Sequence, residues 1–393
     1  MSKQVNWKKA FLQAAAVGLI LSVGFVFLVG GFILLNYDNL GRLCKIVYLI
    51  ESQYLDDTPR VKLVDGAIEG MVSALDPYSS FQDAEENKAL MNSIKGSFGG
   101  IGVHISTADP QKLVVMRPIK DSPAEKAGIE AGDVIIKIDN TDVSTISQDE
   151  AIAILRGEPG TKVTVGIYRP KTKADFSVEL IRDKINVPTV EGTTLPGNPD
   201  IALIDISSFS LQTGDELERV FADLDIDKYK GFILDLRYNY GGEVNAAIKV
   251  ASLLVPQGEI VHIVDRHGKT ETKKSTAQFI NKPFVVLTNE YTASAAEIVA
   301  GAIKDHGSGT LVGVKTFGKG VVQTVFPLDG MTSVRLTTNK YLTPLKNDIH
   351  QKGIEPDVKV ELQEGEKPTI MPTEDIFDSQ LAKAVEIIQE KIK

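Results

Sequence analysis

The chain has 393 residues, which is longer than one typical domain, and its 43 Lys and Arg against 52 Asp and Glu give a formal net charge of −9. This acidic balance argues against nucleic acid as a partner. Cys44 is the single cysteine, so an intrachain disulfide and a thiolate metal cluster are both excluded. We predict no cofactor and no metal.

The first feature along the chain is an uncharged apolar run from Ala14 to Leu35, preceded by Lys3, Lys8 and Lys9. A helix of this length spans roughly 33 Å, enough for a hydrocarbon layer of about 30 Å. We therefore predict a cytoplasmic stub and transmembrane anchor over residues 1–37. The basic residues place the remaining chain on the extracytoplasmic side of the cell membrane. A cleaved signal peptide is the alternative.

Residues 38–95 show a helical pattern, with apolar residues at three- and four-residue intervals such as Val64, Ile68 and Met71. We expect a helical N-terminal segment here, interrupted at Asp76-Pro77. A homo-oligomer formed through this segment and a C-terminal helix is a further expectation.

A glycine-rich stretch opens a segment of short alternating strands that ends near Arg182. Its motifs are Gly100-Ile101-Gly102-Val103, Ser122-Pro123-Ala124, Gly132-Asp133-Val134-Ile135 and Leu155-Arg156-Gly157. Together they resemble a PDZ domain, which we assign to residues 96–182. Residues Gly100, Ile101, Gly102 and Val103 can turn backbone N–H groups toward a peptide's terminal carboxylate, while the peptide adds as a strand. A plain flexible hinge is the alternative for the glycines alone.

After Val187 the pattern becomes one of alternating strands and helices, which predicts an α/β core over residues 183–362. The strand candidates are Ile201–Ile206, Gly231–Leu236, Phe284–Thr288, Thr310–Val314 and Ser333–Tyr341. The helix candidates are Glu216–Leu224, Val244–Leu254 and Ala295–Lys304. A Pro- and Glu-rich linker and an amphipathic helix, from about Phe377 to Ile392, follow within residues 363–393.

The strongest candidate nucleophile is Ser294, in the segment Asn289-Glu290-Tyr291-Thr292-Ala293-Ser294-Ala295-Ala296-Glu297. The pattern places Ser294 at a helix N-terminus, where free N–H groups and the positive end of the helix dipole favour an alkoxide or oxyanion. Glu297 is expected on the same face of that helix. Simple N-capping by Ser294 is the alternative on this segment alone.

A candidate base, Lys319, lies between two glycines before an expected strand. Positions four apart in a strand point to one side, so Gln323 is expected to project with Lys319 and orient its amine. A lysine base must be neutral, and burial lowers a lysine pKa from about 10.4 by up to about 3–5 units. The apolar residues around Lys319 can supply that burial.

A third segment, Leu234-Asp235-Leu236-Arg237-Tyr238-Asn239-Tyr240-Gly241-Gly242, runs from a strand into a double glycine before a helix. Its backbone amides can form an oxyanion hole. An ordinary turn between a strand and a helix is the alternative.

A Ser-His-Asp triad is the alternative to this arrangement, since the chain has five histidines. His306 lies in Asp305-His306-Gly307-Ser308-Gly309, which holds all three residue types. Triad groups converge from separate elements, so this segment is better explained as a helix C-terminus and a glycine-rich turn.

The three segments resemble the C-terminal processing peptidases, also called tail-specific proteases, from about Asp38 to Leu362. In that family a lysine follows the serine by twenty-five residues and a glutamine lies four residues beyond, as Ser294, Lys319 and Gln323 do here. The resemblance implies that these residues are catalytic, and that Gly241 and Ala295 form the oxyanion hole. It also implies a protease core with crotonase/ClpP-like strand-helix layers, in series with a β-rich PDZ domain.

The sequence departs from the family pattern at Tyr240, where proline is common before the double glycine. The loss of proline frees a backbone φ angle in the oxyanion loop. Thr292 and Ala296 also replace frequent serines. None of these positions is the predicted nucleophile or base.

The predicted function is a membrane-anchored serine endopeptidase that cleaves proteins near apolar C-termini bound by a PDZ domain, which gates access. Three alternatives stay open. A PDZ adaptor with a decayed protease core predicts loss of a catalytic residue. A crotonase-like acyl-CoA enzyme has no need of the Ser/Lys pair. A trypsin-like protease with an attached PDZ domain needs a Gly-Asn-Ser-Gly-Gly segment, which is absent.

Overall fold

The computed structural model describes residues 17, 22–25, 39–106, 112–276 and 278–393. The chain divides into two compact units, Met1–Leu75 and Asp76–Lys393. In the first unit, residues 39–53 and helix α1 (Arg60–Ser73) are helical, as the apolar spacing predicts.

Most of the predicted membrane run, Ala14–Leu35, lies outside the described residues, and residues 22–25 within it are helical. None of the helices in the described ranges has both the length and the apolar character needed to span a bilayer.

The second unit contains the remaining helices and the strands, whose bounds are as follows. The helices are α2 (Ala84–Lys95), α3 (Pro123–Lys126), α4 (Gln148–Leu155), α5 (Thr213–Leu224), α6 (Val244–Leu254), α7 (Ala295–His306) and α8 (Ser379–Lys391). The strands are β1 (Ser80–Gln82), β2 (Ser97–Gly100), β3 (Val103–Ile105), β4 (Leu113–Pro118), β5 (Val134–Ile138), β6 (Thr141–Asp142), β7 (Lys162–Arg169), β8 (Ala174–Ile181), β9 (Asp183–Asn186), β10 (Val190–Thr194), β11 (Ile201–Ile206), β12 (Gly231–Asp235), β13 (Glu259–Asp265), β14 (Thr270–Lys274), β15 (Phe284–Thr288), β16 (Thr310–Gly313), β17 (Val321–Pro327), β18 (Ser333–Leu342) and β19 (Val358–Lys359).

The predicted helical segment does not run unbroken to Lys95. The Asp76 carboxylate accepts hydrogen bonds from the N–H groups of Tyr78 and Ser79, at 2.8 and 2.9 Å, which closes a turn. Strand β1 follows this turn and pairs with β18. The helix pattern of the sequence therefore covers three helical stretches, and a turn and a strand separate the last two.

The glycine-rich segment forms a small β domain, in which β3, β4, β5, β7 and β8 are neighbours in that order. Alternate residues of its strands, such as Val163, Val165 and Ile167, are buried in a core of their own. Strands β2 and β9 pair with each other at the two ends of this domain, with Ser97 opposite Asn186. The chain thus enters and leaves the domain side by side.

The main sheet has the order β10-β11-β12-β15-β16-β19. Strand β10 is antiparallel to β11, and the other neighbours are parallel. Side chains alternate across this sheet: Phe232 and Leu234 pack with α5, α6 and α7, whereas Ile233 packs on the opposite face. This is the period of two that a strand buried on both faces requires.

Helix α8 covers that opposite face, where Leu381, Ala384, Val385 and Ile388 are buried. The amphipathic helix predicted at the end of the chain is confirmed, but its apolar face is used within the chain. That face is therefore not free for the oligomer contact expected from the sequence.

A buried ion network fixes the start of α8 to the main sheet. The Arg237 guanidinium lies 2.8 Å from Asp235 and 2.9 Å from Asp378, and all three side chains are nearly inaccessible to solvent. Asp378 also caps α8 by accepting hydrogen bonds from the N–H groups of Gln380 and Leu381. The network holds the loop that leaves β12, which carries the predicted oxyanion residue Gly241.

Three neighbouring parallel strands end at the same edge of the sheet, namely β12, β15 and β16. Gly241 follows β12, Ser294 follows β15 and Lys319 follows β16. Since ligands of α/β sheets bind beyond the carboxyl ends of the strands, this edge is where a site is expected.

Candidate active site

Ser294 occupies a strained turn between β15 and α7. Its φ and ψ angles are 55° and −116°, a conformation that a residue with a side chain rarely adopts. The turn is fixed by its neighbours, because the Thr292 hydroxyl donates to the Leu236 carbonyl at 2.8 Å and the Ala293 N–H donates to the Asn239 carbonyl at 2.9 Å. The helix-N-terminal position predicted for Ser294 is confirmed.

Glu297 connects the serine turn to the lysine loop. Its Oε2 accepts hydrogen bonds from the N–H groups of Ser294, at 2.9 Å, and of Lys319, at 2.8 Å. Its Oε1 accepts from the Gly318 N–H at 2.8 Å and from the Thr316 hydroxyl at 2.5 Å. Glu297 is fully buried, and only an ionised carboxylate can accept all four bonds.

The electrostatics of Glu297 combine two opposing causes. Burial raises the pKa of the carboxyl above its usual range, and the bonds donated by Thr316, Lys319, Gly318 and Ser294 lower it by less. A buried carboxylate deprived of these donors would be costly. The folded state is therefore more stable when the serine turn and the lysine loop both donate to this carboxylate.

Tyr341, on β18, makes a second connection between the same two segments. Its hydroxyl lies 2.9 Å from the Ser294 carbonyl and 2.8 Å from the Lys319 carbonyl, and can donate to either. The residue is buried, and burial raises the pKa of its phenol well above the usual value. Tyr341 thus remains a neutral donor, complementary to the acceptor Glu297.

Lys319 is half-buried at the mouth of this arrangement. Burial lowers the pKa of its amine, the Arg335 guanidinium lowers it further, and the Asp76 and Glu297 carboxylates partly oppose the shift. The Nζ atom lies 4.8 Å from the centre of the Tyr78 ring. The net lowering is the direction that a lysine base requires.

The spacing argument placed Lys319 and Gln323 in one strand, but Lys319 lies in the loop before the strand. Strand β17 begins at Val321, and a bulge between Val322 and Gln323 shifts the register with β18. The Gln323 amide donates to the Thr337 hydroxyl at 3.3 Å, and that hydroxyl donates to Asp76 at 3.2 Å. The orienting role of Gln323 stays a prediction.

Within the described part of the chain, no hydrogen bond joins the Ser294 hydroxyl to the Lys319 amine. Catalytic hydrogen bonds are often long before substrate binds and shorten in the complex. The backbone connections through Glu297 and Tyr341 nevertheless place the two residues on adjoining segments.

Gly241 lies directly against the serine turn. A Cβ atom at this position would come within 2.8 Å of both the Ala295 nitrogen and the Ser294 Cβ. Its own N–H, however, donates to the Asn239 side-chain oxygen at 2.9 Å. Ala295 is the first residue of α7, where a backbone N–H has no partner in its own helix. An oxyanion role for Gly241 therefore requires that its bond to Asn239 be given up.

The predicted carboxylate-binding residues Gly100, Ile101, Gly102 and Val103 line a cavity of about 550 Å³. Strand β3 is an edge strand of its sheet, and Ile152 and Leu155 of α4 line the same cavity. An edge strand beside an apolar groove can accept an added peptide strand. The cavity is also lined by residues of α2 and of the α/β core, namely Ala89, Asn92, Ser93, Thr189 and Ser208.

Comparison with known proteins shows the same arrangement of domains. The model of peptidase family S41 matches residues 200–360, a PDZ-domain model matches residues 114–169, and a model of the N-terminal domain of the activating protease CtpB matches residues 34–86. Carboxy-terminal processing protease CtpA of Bacillus subtilis is 39% identical over 356 residues, which cover 90% of this chain and 76% of that protein. The chain belongs to peptidase family S41.

A second relative agrees with this assignment. Carboxy-terminal processing protease CtpB of Bacillus subtilis is 35% identical to this S41 peptidase over 321 residues, covering 80% of the chain and 66% of that protein. Among solved structures, the photosystem II D1 C-terminal processing protease is 31% identical, with a TM-score of 0.48 over 80% of this chain and 86% of its own. The chain is thus a serine-type C-terminal processing protease with a PDZ domain.

Several residues of this S41 peptidase site were not identified from the sequence pattern. Asp76 and Arg335 influence the charge of Lys319, and Tyr341 and Asn239 position the catalytic segments. The Asp76-Pro77 motif was noticed in the sequence, but without a catalytic role. The position of Asp76 depends on its contact with Thr337, 261 residues further along the chain, which local patterns do not reveal.

We expect Glu297→Gln to lower kcat by about 10²-fold with little change in KM. An amide nitrogen would face backbone N–H donors, so the serine turn and the lysine loop would separate, and displacements near 1 Å can cost that much. Steady-state kinetics and thermal unfolding test this on the purified enzyme. Tyr341→Phe, which removes only the bridging hydroxyl, should produce a smaller fall.

Glu355→Gln is the matched control, because Glu355 is an exposed carboxylate paired with Lys315. A normal kcat in folded Glu297→Gln would contradict the positioning role of this carboxylate. A fall in kcat of the same size in the control would do so as well.

Substitutions of Arg335 and Asp76 should shift the pH at which kcat/KM rises in opposite directions. A general base at Lys319 must be neutral, so the activity that it supports rises with pH through the lysine pKa. Arg335→Gln removes a repulsive charge, raises that pKa and moves the rise to higher pH. Asp76→Asn should move it to lower pH.

The measurement is a pH–rate profile for each variant. Lys340→Gln is the control, because Lys340 is an exposed cation on β18, the strand that carries Arg335. Profiles that coincide, or that shift in the same direction for both variants, would rule out this electrostatic assignment.

Proposed function

We propose that this peptidase cleaves peptide bonds with Ser294 as nucleophile and Lys319 as general base. Neutral Lys319 takes the hydroxyl proton as Ser294 Oγ attacks the carbonyl carbon. The lysine returns the proton to the leaving amine, and a water molecule then releases the acyl group from the serine. The Ala295 N–H at the start of α7, together with Gly241, stabilises the oxyanion.

The observation that carries this proposal is the Glu297 carboxylate, which binds the N–H groups of both Ser294 and Lys319. A surface lysine has no need of such an arrangement. The lowered pKa of Lys319 supports the base role. Gln323 orients Lys319 once substrate is bound, exchanging its contact with Thr337.

We further propose that the PDZ domain selects substrates by their apolar C-termini and controls access to the active site. The groove beside β3 supports this, because it joins an edge strand to apolar side chains of α4. Its lining by α2 and the α/β core supports the coupling, since a bound peptide would contact all three parts.

Anchoring in the cell membrane by Ala14–Leu35, with the protease on the extracytoplasmic side, is also proposed from the apolar run and its preceding lysines. Fractionation of cells that make the full chain tests it. Recovery in the soluble fraction without detergent would refute it.

We expect Ser294→Ala and Lys319→Met each to lower the cleavage of an unstructured protein with an apolar C-terminus by at least about 10³-fold. Mass spectrometry of the products measures cleavage, and circular dichroism confirms folding. Ser308→Ala, just beyond the other end of α7, and Lys315→Met, an exposed lysine of the same loop as Lys319, are matched controls. Full activity in either catalytic variant would overturn the Ser/Lys assignment.

The C-terminal carboxylate of the substrate should matter separately from the cleavage site. A peptide with a free apolar C-terminus should have a lower KM than its C-terminal amide. The amide has no carboxylate that could accept hydrogen bonds from the N–H groups of the PDZ loop. Equal KM and kcat values for the two peptides would contradict carboxylate capture by this groove.

A further inference from the structure

Three exposed tyrosines cluster beside the predicted oxyanion loop. Tyr238 and Tyr291 are stacked with their ring centres 5.2 Å apart, and Tyr240 meets Tyr291 edge-on at 6.0 Å. Tyr240 is 67% exposed, Tyr291 40% and Tyr238 36%. We call these three residues the tyrosine platform.

The platform is held rigidly by one buried side chain. The Asn289 side-chain oxygen accepts hydrogen bonds from the N–H of Tyr238 at 3.0 Å and from the N–H of Tyr291 at 3.1 Å. Asn289 thereby joins the loop after β12 to the loop after β15. Rings on a fixed backbone lose little freedom when they bind a ligand, which favours affinity.

The platform is continuous with the reacting atoms. Tyr240 immediately precedes Gly241, which touches the Ser294 turn, and neighbouring Cα atoms are about 3.8 Å apart. Tyr291 is three residues before Ser294, so their Cα atoms lie within roughly 11 Å. A side chain of a polypeptide whose carbonyl group reaches Ser294 is therefore within reach of these rings.

The chemistry of the platform favours a large apolar side chain. Three clustered aromatic rings offer wide apolar surface, and exposed clusters of this kind usually mark binding sites. Glu290 is exposed and lies close enough to raise the pKa of the Tyr238 phenol, in addition to the effect of burial. A substrate carboxylate would meet this negative charge and the negative faces of the rings.

We propose that the tyrosine platform is a specificity site, which binds a large apolar side chain of the substrate within a few residues of the scissile bond and disfavours an acidic one. The proposal rests on the proposed role of Ser294 at the reaction centre. It is separate from the PDZ groove, which reads the C-terminus. Tyr240, which replaces the proline frequent in the family, contributes the most exposed ring.

The test uses the full chain and peptides that share one apolar C-terminus but carry Leu, Lys or Glu at each position from three before to three after the cleaved bond. The wild-type enzyme should prefer Leu over Glu by at least about 10-fold in kcat/KM at one or more positions. Tyr240→Ala and Tyr291→Ala should reduce that preference about 10-fold, mainly because the Leu peptide is cleaved more slowly. Tyr240→Phe should retain it, because the ring makes the contact.

Phe326→Ala is the control, since Phe326 is 43% exposed on β17, away from the serine turn. The proposal would be overturned if the wild type showed no preference for Leu over Glu, or if the tyrosine variants kept that preference. It would also be overturned if the tyrosine variants lowered kcat/KM equally for all peptides. Binding of the Leu and Glu peptides to Ser294→Ala provides a second readout that needs no cleavage. If cleavage persists in Ser294→Ala, the catalytic assignment fails, whereas the Leu/Glu comparison still decides the role of the platform.

Discussion

The edge of the sheet that carries the predicted active site depends on a single buried carboxylate, Glu297. Glu297 accepts hydrogen bonds from the backbone of the serine turn and of the lysine loop, and removing either set would leave a charge in the core without its donors. Stability and catalytic geometry are therefore enforced by the same four bonds. Tyr341 makes a similar connection with opposite polarity, because its hydroxyl can donate to the carbonyl of either of the same two residues.

The strand order of the main sheet determines which segments lie next to each other at this edge. Strands β12, β15 and β16 are neighbours and parallel, so the oxyanion loop, the serine turn and the lysine loop emerge side by side. The buried Arg237–Asp378 pair fixes the first of these segments from the far side of the sheet, through helix α8. A second, antiparallel sheet, formed by β1, β13, β14, β17 and β18, carries Tyr341 and Arg335 on β18.

Local patterns in the sequence were sufficient for the main elements. The strand Phe284–Thr288 and the helix Val244–Leu254 occur at the bounds expected from apolar runs and helical spacing, and Ser294 follows from the junction of a strand with a small-residue helix. The relation of Lys319 to Gln323 could not be read in this way. Lys319 precedes its strand, and the bulge at Gln323 breaks the alternation on which the spacing argument relied.

The close packing around Gly241 and Gly242 also limits which substitutions such an enzyme can accept during evolution. A side chain at Gly241 would strike the serine turn, and one at Gly242 would come within 2.0 Å of the Phe209 carbonyl oxygen. Mutational drift in this loop is thus confined to positions such as 238 and 240, whose side chains face solvent. Substrate preference can then diverge between related enzymes while the catalytic backbone is inherited unchanged.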